Sequence, residues 1–432
     1  MGSWIKKNRL NILIFILLLA GFFIRTYFID KVVVGDLMNY SEWGERLATT
    51  GPKNFYFSEG WYYSVPVYPP VSMWMFAGLN ILNQHRYVLA QVHNLIRLPP
   101  SSFIIYFYKW GNILLIKLPS ILCDLGLSLI VYKLIFKLTK NVKKSLAGLC
   151  FFLFNPITIF ISGAWGQTDS IVGILGLLSF LTLLDGNLIL SMPILFLSIY
   201  FKPSWAILGP FYLFTMYKIK PKFRQILFGS LITLLLFIVT TAPFASGNVF
   251  TYGLKLYKDR YPIPIGFDGK ASISAFNFQT IFWRMDIDFS SQKLLGVTSG
   301  HWGMFFFIIL NFVAMLSFSK AKNKLLSMLS GIFMIAMGSF LFMPTMLERY
   351  FFPAFAPMVI LAFSKPRLLI SLVIINLILI ANITYSFYRR GSDELYHFFI
   401  DNNYLLMRAV SVIQVLLFVT FTRRLMIQFK RE

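Results

Sequence analysis

Charged residues are scarce in this sequence, at 13% of 432 residues, whereas hydrophobic residues make up 57% and aromatic residues 18%. Soluble domains of this size carry more charge, and apolar runs long enough to cross a bilayer recur along the chain. The period-two alternation of an outer-membrane barrel is also missing, and helices satisfy their backbone within lipid at such run lengths. We therefore predict an all-α polytopic membrane protein without a soluble domain.

Cysteine and histidine are also rare, with two of the first and four of the second. Cys123 and Cys150 both lie in apolar runs, so neither a disulfide framework nor a thiolate metal site is expected. The histidines lack the spacing of zinc ligands, and the chain has no glycine-rich phosphate loop, serine elbow or ATPase signature. The lack of a soluble domain argues against a Rossmann unit for a nucleotide sugar, and we expect that no cofactor is required.

The formal net charge of +23 comes from short basic breaks between apolar runs rather than from one basic face. Such breaks are typical of cytoplasmic loops and do not indicate a nucleic-acid partner. The basic residues near both ends of the chain place the N- and C-termini in the cytoplasm. We expect a multi-pass protein of a prokaryotic plasma membrane, in contact with its lipids.

Keeping every basic break in the cytoplasm requires an even number of crossings between any two of them. Twelve spans meet this requirement if the short apolar helix at 71–82 lies on the outer membrane surface, as a juxtamembrane helix. The predicted spans are 11–28, 110–136, 145–163, 168–185, 187–202, 204–217, 225–245, 302–319, 325–343, 350–363, 368–386 and 404–422.

The polar motifs then collect on the extracytoplasmic side of the membrane, where we expect the active site. The external segments are a first loop at about 30–109, a short mouth at 165–169, a long loop at about 245–301 and a turn at 344–350. The break at Lys202 and Pro203 falls on the same side. Loops as long as the third segment are usually functional in compact proteins.

Asp36 follows the first span by a few residues and precedes a helix predicted at 37–48. Two roles are open for its carboxylate, and they are compatible. It is placed to cap that helix, and it is placed to act as a base close to a lipid-borne substrate.

Three further segments, with five residues between them, have two interpretations each. Gln167 and Asp169 either cap the next helix or belong to a functional site, because polar groups at membrane depth are costly. Lys202 either extends to the interface or offers a cation to a lipid phosphate. Glu348 and Arg349 either satisfy one another or present a guanidinium fork suited to phosphate.

The long loop contributes Arg260, Asp268 and Asn277, which are placed to cover a cleft or to recognise an acceptor. Aromatic residues around Trp61 and Trp165 suit a platform for sugar rings or prenyl chains, although interfacial belts explain aromatics equally well.

Several short motifs occur in one order along the predicted outer face. They are Gly35-Asp36 followed by Tyr40 and Trp43, Tyr68-Pro69-Pro70, Lys117-Leu118-Pro119-Ser120, Asn155-Pro156 followed by Trp165-Gly166-Gln167-Thr168-Asp169, Ala275-Phe276-Asn277 and Glu348-Arg349-Tyr350. Together they resemble the GT-C superfamily of integral-membrane glycosyltransferases, which includes protein mannosyltransferases, the aminoarabinose transferase of lipid A and dolichol-dependent enzymes. The chain departs from bacterial members in having Leu347 where many have a histidine.

The resemblance implies a GT-C fold, with a catalytic membrane module at 1–363 and C-terminal membrane helices at 364–432. It also implies a polyprenyl-phosphate monosaccharide donor, of the undecaprenyl or dolichyl type, and a glycan, lipid or protein acceptor. Asp36 would be the general base, and Lys202 and Arg349 would bind the donor phosphate. A phosphate leaving group needs no general acid, so a single displacement with inversion is expected.

Further substrate contacts are implied for a set of polar and aromatic residues along the same face. These are Tyr40, Trp43, Tyr68, Gln167, Asp169, Arg260, Asn277 and Glu348. No metal is required, and a divalent ion would be shared by Asp36 and Asp169 only if the fold brought them together.

Two other functions remain open on the sequence. A transporter or flippase of lipid-linked sugars would line a central path with ionisable residues, of which Asp124 is the chief example inside a predicted span. An oligosaccharide transferase of the O-antigen-ligase type would carry essential arginines in one very large loop.

Overall fold

The computed structural model describes residues 2–260, 269–285, 287–388 and 392–429. Helices dominate these ranges, and the strands within them are confined to one hairpin of two short strands, β1 (Lys293–Leu294) and β2 (Val297–Thr298). The helices are α1 Gly2–Thr26, α2 Gly35–Thr50, α3 Pro70–Gln84, α4 Tyr87–Ile96, α5 Ser101–Thr139, α6 Val142–Leu153, α7 Pro156–Thr158, α8 Asp169–Leu184, α9 Leu188–Phe201, α10 Gly209–Ile219, α11 Phe223–Thr241, α12 Val249–Arg260, α13 Phe278–Phe282, α14 Ser299–Lys320, α15 Lys324–Phe342, α16 Phe352–Ser364, α17 Leu369–Tyr388 and α18 Asp393–Phe429.

Eight helical segments in the described ranges are long and apolar enough to cross a membrane. They are Asn8–Thr26, Ser101–Thr139, Val142–Trp165, Phe223–Phe244, Ser299–Lys320, Lys324–Phe342, Pro366–Tyr388 and Tyr404–Met426. The helical content and the number of apolar helices of spanning length thereby confirm the prediction of an all-α polytopic membrane protein.

The remaining four predicted spans are shorter in the structure. Three correspond to α8, α9 and α16, which have 16, 14 and 13 residues. The segment predicted at 204–217 is divided between a 3₁₀ turn, Pro203–Leu208, and the 11-residue α10. An untilted span needs about 20 residues, so the number of twelve crossings stays a prediction.

Helix α15 lies at the centre of the helix bundle. Every residue in its spanning window is buried, and the helix packs against α14, α16 and α18. It is apolar on all sides, as a helix surrounded by other helices must be. In contrast, only 11% of the corresponding window of α11 is buried, which places α11 at the periphery.

The first external loop has a hydrophobic core of its own. Leu37, Tyr40 and Trp43 of α2 recur at helical spacing and pack against Met73 and Phe76 of α3. The helix predicted at 71–82 is therefore observed as α3, and it joins α2 in a folded unit rather than lying alone. This unit fixes the helix that carries Asp36.

A buried ion pair joins α1 to α5. The Nε of Arg25 lies 3.1 Å from the Oδ2 of Asp124, and both side chains are fully buried. Asp124 also accepts hydrogen bonds from the hydroxyls of Ser162 and Ser170, each at 2.7 Å, and Arg25 donates to Thr158 at 3.0 Å. The two charges are therefore compensated inside the membrane-spanning part of the protein, and α1, α5, α7, the turn at 159–165 and α8 are tied together.

We expect Asp124→Asn to lower the stability of the protein by about 3 kcal/mol, because Arg25 would remain buried without a counter-charge. Thermal unfolding in detergent measures this loss. Asp185→Asn, at an exposed acid at the end of α8, is the matched control and should leave the unfolding temperature unchanged. Equal unfolding temperatures of Asp124→Asn and Asp185→Asn would contradict a stabilising ion pair. The double variant Arg25→Met with Asp124→Leu should recover most of the lost stability, because it removes both charges.

Candidate active site

Four segments that are distant in the chain meet at the ends of the helices that carry them. They are the first turn of α2, the stretch 165–169 before α8, the break after α9 and the turn before α16. The contacts that join them are those of Trp165 with Asp36, Lys202 with Asp169, and Arg349 with Trp165. The sequence predicted that these segments share a face, and the structure brings them into direct contact.

Asp36 is held by two donors from the stretch before α8. Its Oδ2 accepts a hydrogen bond from Trp165 Nε1 at 3.1 Å and from Gln167 Nε2 at 2.5 Å. The helix begins at Gly35, with Val34 in the capping position and no side-chain cap. The prediction that Asp36 caps its helix is therefore wrong: the carboxylate lies in the first turn and points to a neighbouring segment instead.

A π-helical turn at Ile159–Trp165 presents the two donors. The turn ends at Gly166, whose φ of +77° lies in the left-handed region that favours glycine. The backbone N–H of Gln167 then donates to the carbonyl of Ile161 at 2.8 Å. π-Helical turns are frequent at functional sites, and here the end of the turn and the residue after Gly166 direct two side-chain donors towards Asp36.

Two tyrosines extend the hydrogen-bond network from Gln167. Tyr40 donates from its hydroxyl to Gln167 Oε1 at 3.3 Å, and its oxygen lies 3.3 Å from that of Tyr68. Burial, with further contributions from the charges of Tyr68 and Asp36, raises the pKa of Tyr40 well above its usual value. Tyr40 therefore stays protonated and acts as a donor that orients Gln167.

Trp43 lies behind these tyrosines and is 2% exposed. Its indole N–H donates to the carbonyl of Ser64 at 2.7 Å, and its ring contacts the rings of Tyr40 and Tyr68. The structure thus places Trp43 in the core of the first loop, where it positions Tyr68.

Lys202 forms a buried ion pair with Asp169. The Nζ–Oδ2 distance is 2.7 Å, and the two side chains are 5% and 1% exposed. Burial lowers the pKa of Lys202, but Asp169 and Tyr68 raise it by more, so the pKa lies above its usual value and the amine stays charged. Neither a helix cap by Asp169 nor a lysine extended to the interface describes the observed arrangement, because Thr168 occupies the capping position and Lys202 is enclosed.

Arg349 pairs with Glu348 at 2.9 Å and is 14% exposed. Its guanidinium lies over the ring of Trp165, with 4.9 Å between Cζ and the ring centroid. Burial lowers the pKa of Arg349, whereas Glu348, Tyr68 and Asp36 raise it, and the net pKa lies well above its usual value. Arg349 is thus part of an acid–base pair and at the same time faces the aspartate of α2.

Lys202 and Arg349 belong to one electrostatic cluster, which comprises Asp36, Asp169, Lys202, Glu348, Arg349 and Tyr350. The charge of Arg349 lowers the pKa of Lys202, and both cations act on Tyr350, a residue that the sequence did not single out as a contact. Burial nevertheless raises the pKa of Tyr350, which keeps its hydroxyl protonated. The cluster therefore offers two permanent positive charges and a hydroxyl donor alongside the carboxylates of Asp36, Asp169 and Glu348.

Glu348 is held from the long loop. The hydroxyl of Ser274 donates to its Oε2, and the carbonyl of Ser274 accepts from Asn382 Nδ2 at 2.6 Å. Ser274 lies 74 residues before Glu348, so no local pattern could predict the contact. The same is true of the indole N–H of Trp165, which the sequence predicted only as part of an aromatic platform.

Two predicted contacts lie away from this cluster. Asn277 is fully buried and caps α13, accepting from Gln279 and Thr280 and donating to the carbonyl of Phe340. Arg260 lies at the end of α12 with its guanidinium 5.2 Å from the ring centroid of Phe57. Asp268 lies outside the described residues.

The acidic residues near the cluster do not form a set of metal ligands. Asp36 is bound by Trp165 and Gln167, whereas Asp169 is bound by Lys202. Across residues 2–260, 269–285, 287–388 and 392–429, no group of three His, Cys, Asp or Glu side chains is placed to hold an ion. The metal requirement stays a prediction.

The sequence matches no known protein-family model and no curated protein. The geometry of the cluster therefore carries the functional argument.

We expect Gly166→Ala to destabilise the protein more than Gly186→Ala. Both residues have a left-handed backbone, with φ of +77° and +75°, so each alanine costs about 1–2 kcal/mol from strain. Only at Gly166 would the added Cβ meet neighbours, at 2.6 Å from Leu37 Cδ2 and 3.0 Å from Lys117 Cγ. Overpacking adds about 1–3 kcal/mol there, and equal unfolding temperatures for the two variants would contradict the contact.

Proposed function

We propose that the protein is an integral-membrane transferase that uses a lipid-phosphate donor. More specifically, we propose an inverting GT-C glycosyltransferase that moves a monosaccharide from a polyprenyl-phosphate carrier to an acceptor hydroxyl. The observation that carries this proposal is the position of Asp36. Its carboxylate accepts a hydrogen bond from Trp165, and the guanidinium of Arg349 lies over the ring of the same tryptophan. Arg349 and a second cation, Lys202, are both largely buried at the ends of apolar helices.

The chemistry assigns one role to each kind of group. Asp36 removes the proton of the acceptor hydroxyl as that oxygen attacks the anomeric carbon. The bond from the anomeric carbon to the phosphate oxygen breaks, and the carrier phosphate leaves with the electron pair. Because one displacement occurs at one carbon, the configuration inverts.

Trp165 and Gln167 support the role of Asp36 by fixing its orientation. Both donors bind Oδ2, and Tyr40 fixes Gln167 in turn. A base that is positioned before the acceptor arrives does not reorganise during the reaction.

Lys202 and Arg349 support a phosphate site because each retains unused donors. Lys202 uses one of its ammonium protons on Asp169, and Arg349 uses Nη1 on Glu348. Arg349 Nε is buried and makes no hydrogen bond among the described residues. Charge-assisted bonds to a phosphate are about twice as strong as neutral ones, and the low exposure of both cations strengthens them further.

The position of the site relative to the bilayer also belongs to this proposal. The distribution of basic breaks supports a cytoplasmic position for both termini and an extracytoplasmic position for the cluster. There the cluster would meet a carrier lipid in the outer leaflet and a glycan, lipid or protein acceptor.

A transporter of lipid-linked sugars remains the main alternative. The residue that favoured it, Asp124, has both carboxylate oxygens occupied by Arg25, Ser162 and Ser170. An acid saturated in this way does not offer a free charge to a passing substrate. The same assay separates the two functions, because a transporter moves its substrate across vesicles without consuming it.

We expect Asp36→Asn to lower sugar transfer by a factor of about 10² to 10⁴, the usual contribution of a general base. The assay follows radiolabelled sugar from a panel of polyprenyl-phosphate donors in proteoliposomes. Donor binding and the unfolding temperature should change little, because the amide keeps nearly the same shape. Glu45→Gln, on an exposed acid of the same helix, should retain full transfer. Wild-type turnover in Asp36→Asn would remove Asp36 as the base.

We expect Lys202→Met to lose both stability and donor use, because it also leaves Asp169 buried without a partner. Lys202→Met combined with Asp169→Asn should recover the unfolding temperature but not the transfer rate. The measurements are thermal unfolding and the dependence of transfer on donor concentration. Recovery of transfer in the double variant would show that Lys202 has a structural role only.

A further inference from the structure

Helix α4 and the start of α5 form an antiparallel helical hairpin that covers residues 86–109. At its base, Arg86 Nη1 donates to the carbonyl of Tyr108 at 3.1 Å, and the guanidinium lies 4.3 Å from the Tyr108 ring centroid. At its tip, the ring of His93 lies 2.7 Å from the Pro99 carbonyl and 3.1 Å from the Ser101 hydroxyl. These contacts at both ends define the α4–α5 hairpin as an ordered unit.

The α4–α5 hairpin exposes apolar side chains. No residue of α4 is buried, and Leu95 and Ile105 are 83% and 72% exposed. Other large apolar residues that are exposed on the hairpin are Tyr87, Val88, Ile96, Leu98, Phe103 and Tyr108. An exposed apolar surface of this kind marks a site of contact with a membrane or with another protein.

The length of α5 shows where this surface lies. With 39 residues, α5 is about 58 Å long, nearly twice the thickness of about 30 Å of the hydrocarbon core. Lys117 Nζ donates to the carbonyls of Phe28 and Val32, just past the end of α1, at 3.0 and 2.8 Å. Because α1 ends at Thr26, this contact lies just beyond the end of the first candidate span, and the hairpin lies further along α5 on the side of the cluster.

The hairpin is also basic and lacks acids. The sequence has no Asp or Glu between residues 60 and 123, whereas Arg86, Arg97 and Lys109 lie on or beside the hairpin. Arg97 and Lys109 are exposed. Apolar surface combined with basic side chains is the composition of helices that lie in the headgroup region of anionic membranes.

We propose that the α4–α5 hairpin is embedded in the headgroup region of the leaflet next to the cluster and binds anionic phospholipids there. Its apolar residues contact acyl chains, and Arg97 and Lys109 contact lipid phosphates. A second copy of the chain fits this surface less well, because two hairpins would bring charges of the same sign together. The hairpin would anchor the loop that carries Tyr68 and hold it at a fixed depth.

The experiment places a fluorophore at Leu95→Cys in a chain whose native cysteines are replaced, as Cys123→Ala and Cys150→Ala. The protein is reconstituted in vesicles, and quenching by brominated phosphatidylcholine is measured together with labelling by a membrane-impermeant maleimide. The control is Tyr62→Cys, which has the same exposure of 83% but lies where the Glu42 carboxylate binds the backbone. We expect strong quenching and slow labelling at 95, and the reverse at 62.

Two outcomes would overturn the proposal. One is labelling at position 95 as fast as at position 62, which would place the hairpin in water. The other is protection at 95 that persists in detergent and is accompanied by disulfide cross-linking between copies, which would assign the surface to self-association.

The anionic preference is tested with brominated phosphatidylglycerol in place of brominated phosphatidylcholine. Quenching at 95 should be several-fold stronger with the anionic lipid, and high salt should reduce the difference. Arg97→Glu with Lys109→Glu should abolish the preference, whereas Lys53→Glu, an exposed lysine of the same loop, should preserve it. Equal quenching by the two lipids in the wild type would exclude anionic recognition.

Discussion

The buried ion pair between Arg25 and Asp124 is the constraint on which the arrangement of the cluster depends. Charges at this depth are tolerated only when paired and hydrogen-bonded, and the pair obtains its extra partners from the π-helical turn and from α8. These are the segments that carry Trp165 and Asp169. The same compensation that makes the charges acceptable in the membrane therefore fixes the segments that meet Asp36.

The cluster repeats this principle at the ends of the helices that carry it. Lys202 and Arg349 each pair with an acid, and low exposure keeps the four charges in a medium of low dielectric. Pairing holds each cation in one geometry, while the unused N–H donors leave capacity for an anion. Asp36 differs from the other acids, because its strongest contacts are neutral donors rather than a cation.

The first loop supports one side of this cluster. Its core around Trp43 and Phe76 holds Tyr40 against Gln167 and Tyr68 against Tyr40, and its second half continues into the α4–α5 hairpin. A loop of this length would be mobile without such a core. The stacking of Tyr40 on Phe76, with ring centroids 4.6 Å apart, is one contact that converts the loop into a rigid support.

The sequence by itself determined the helical membrane class and the segments that carry polar motifs, because apolar run length and charge spacing are local properties. Only the tertiary structure decided what the side chains do. Asp36 accepts a hydrogen bond from Gln167, 131 positions away, instead of capping α2. Arg25 pairs with Asp124, which is 99 positions away. Such contacts depend on how helices pack, and side chains so distant in the chain leave no periodic signal that a sequence pattern could carry.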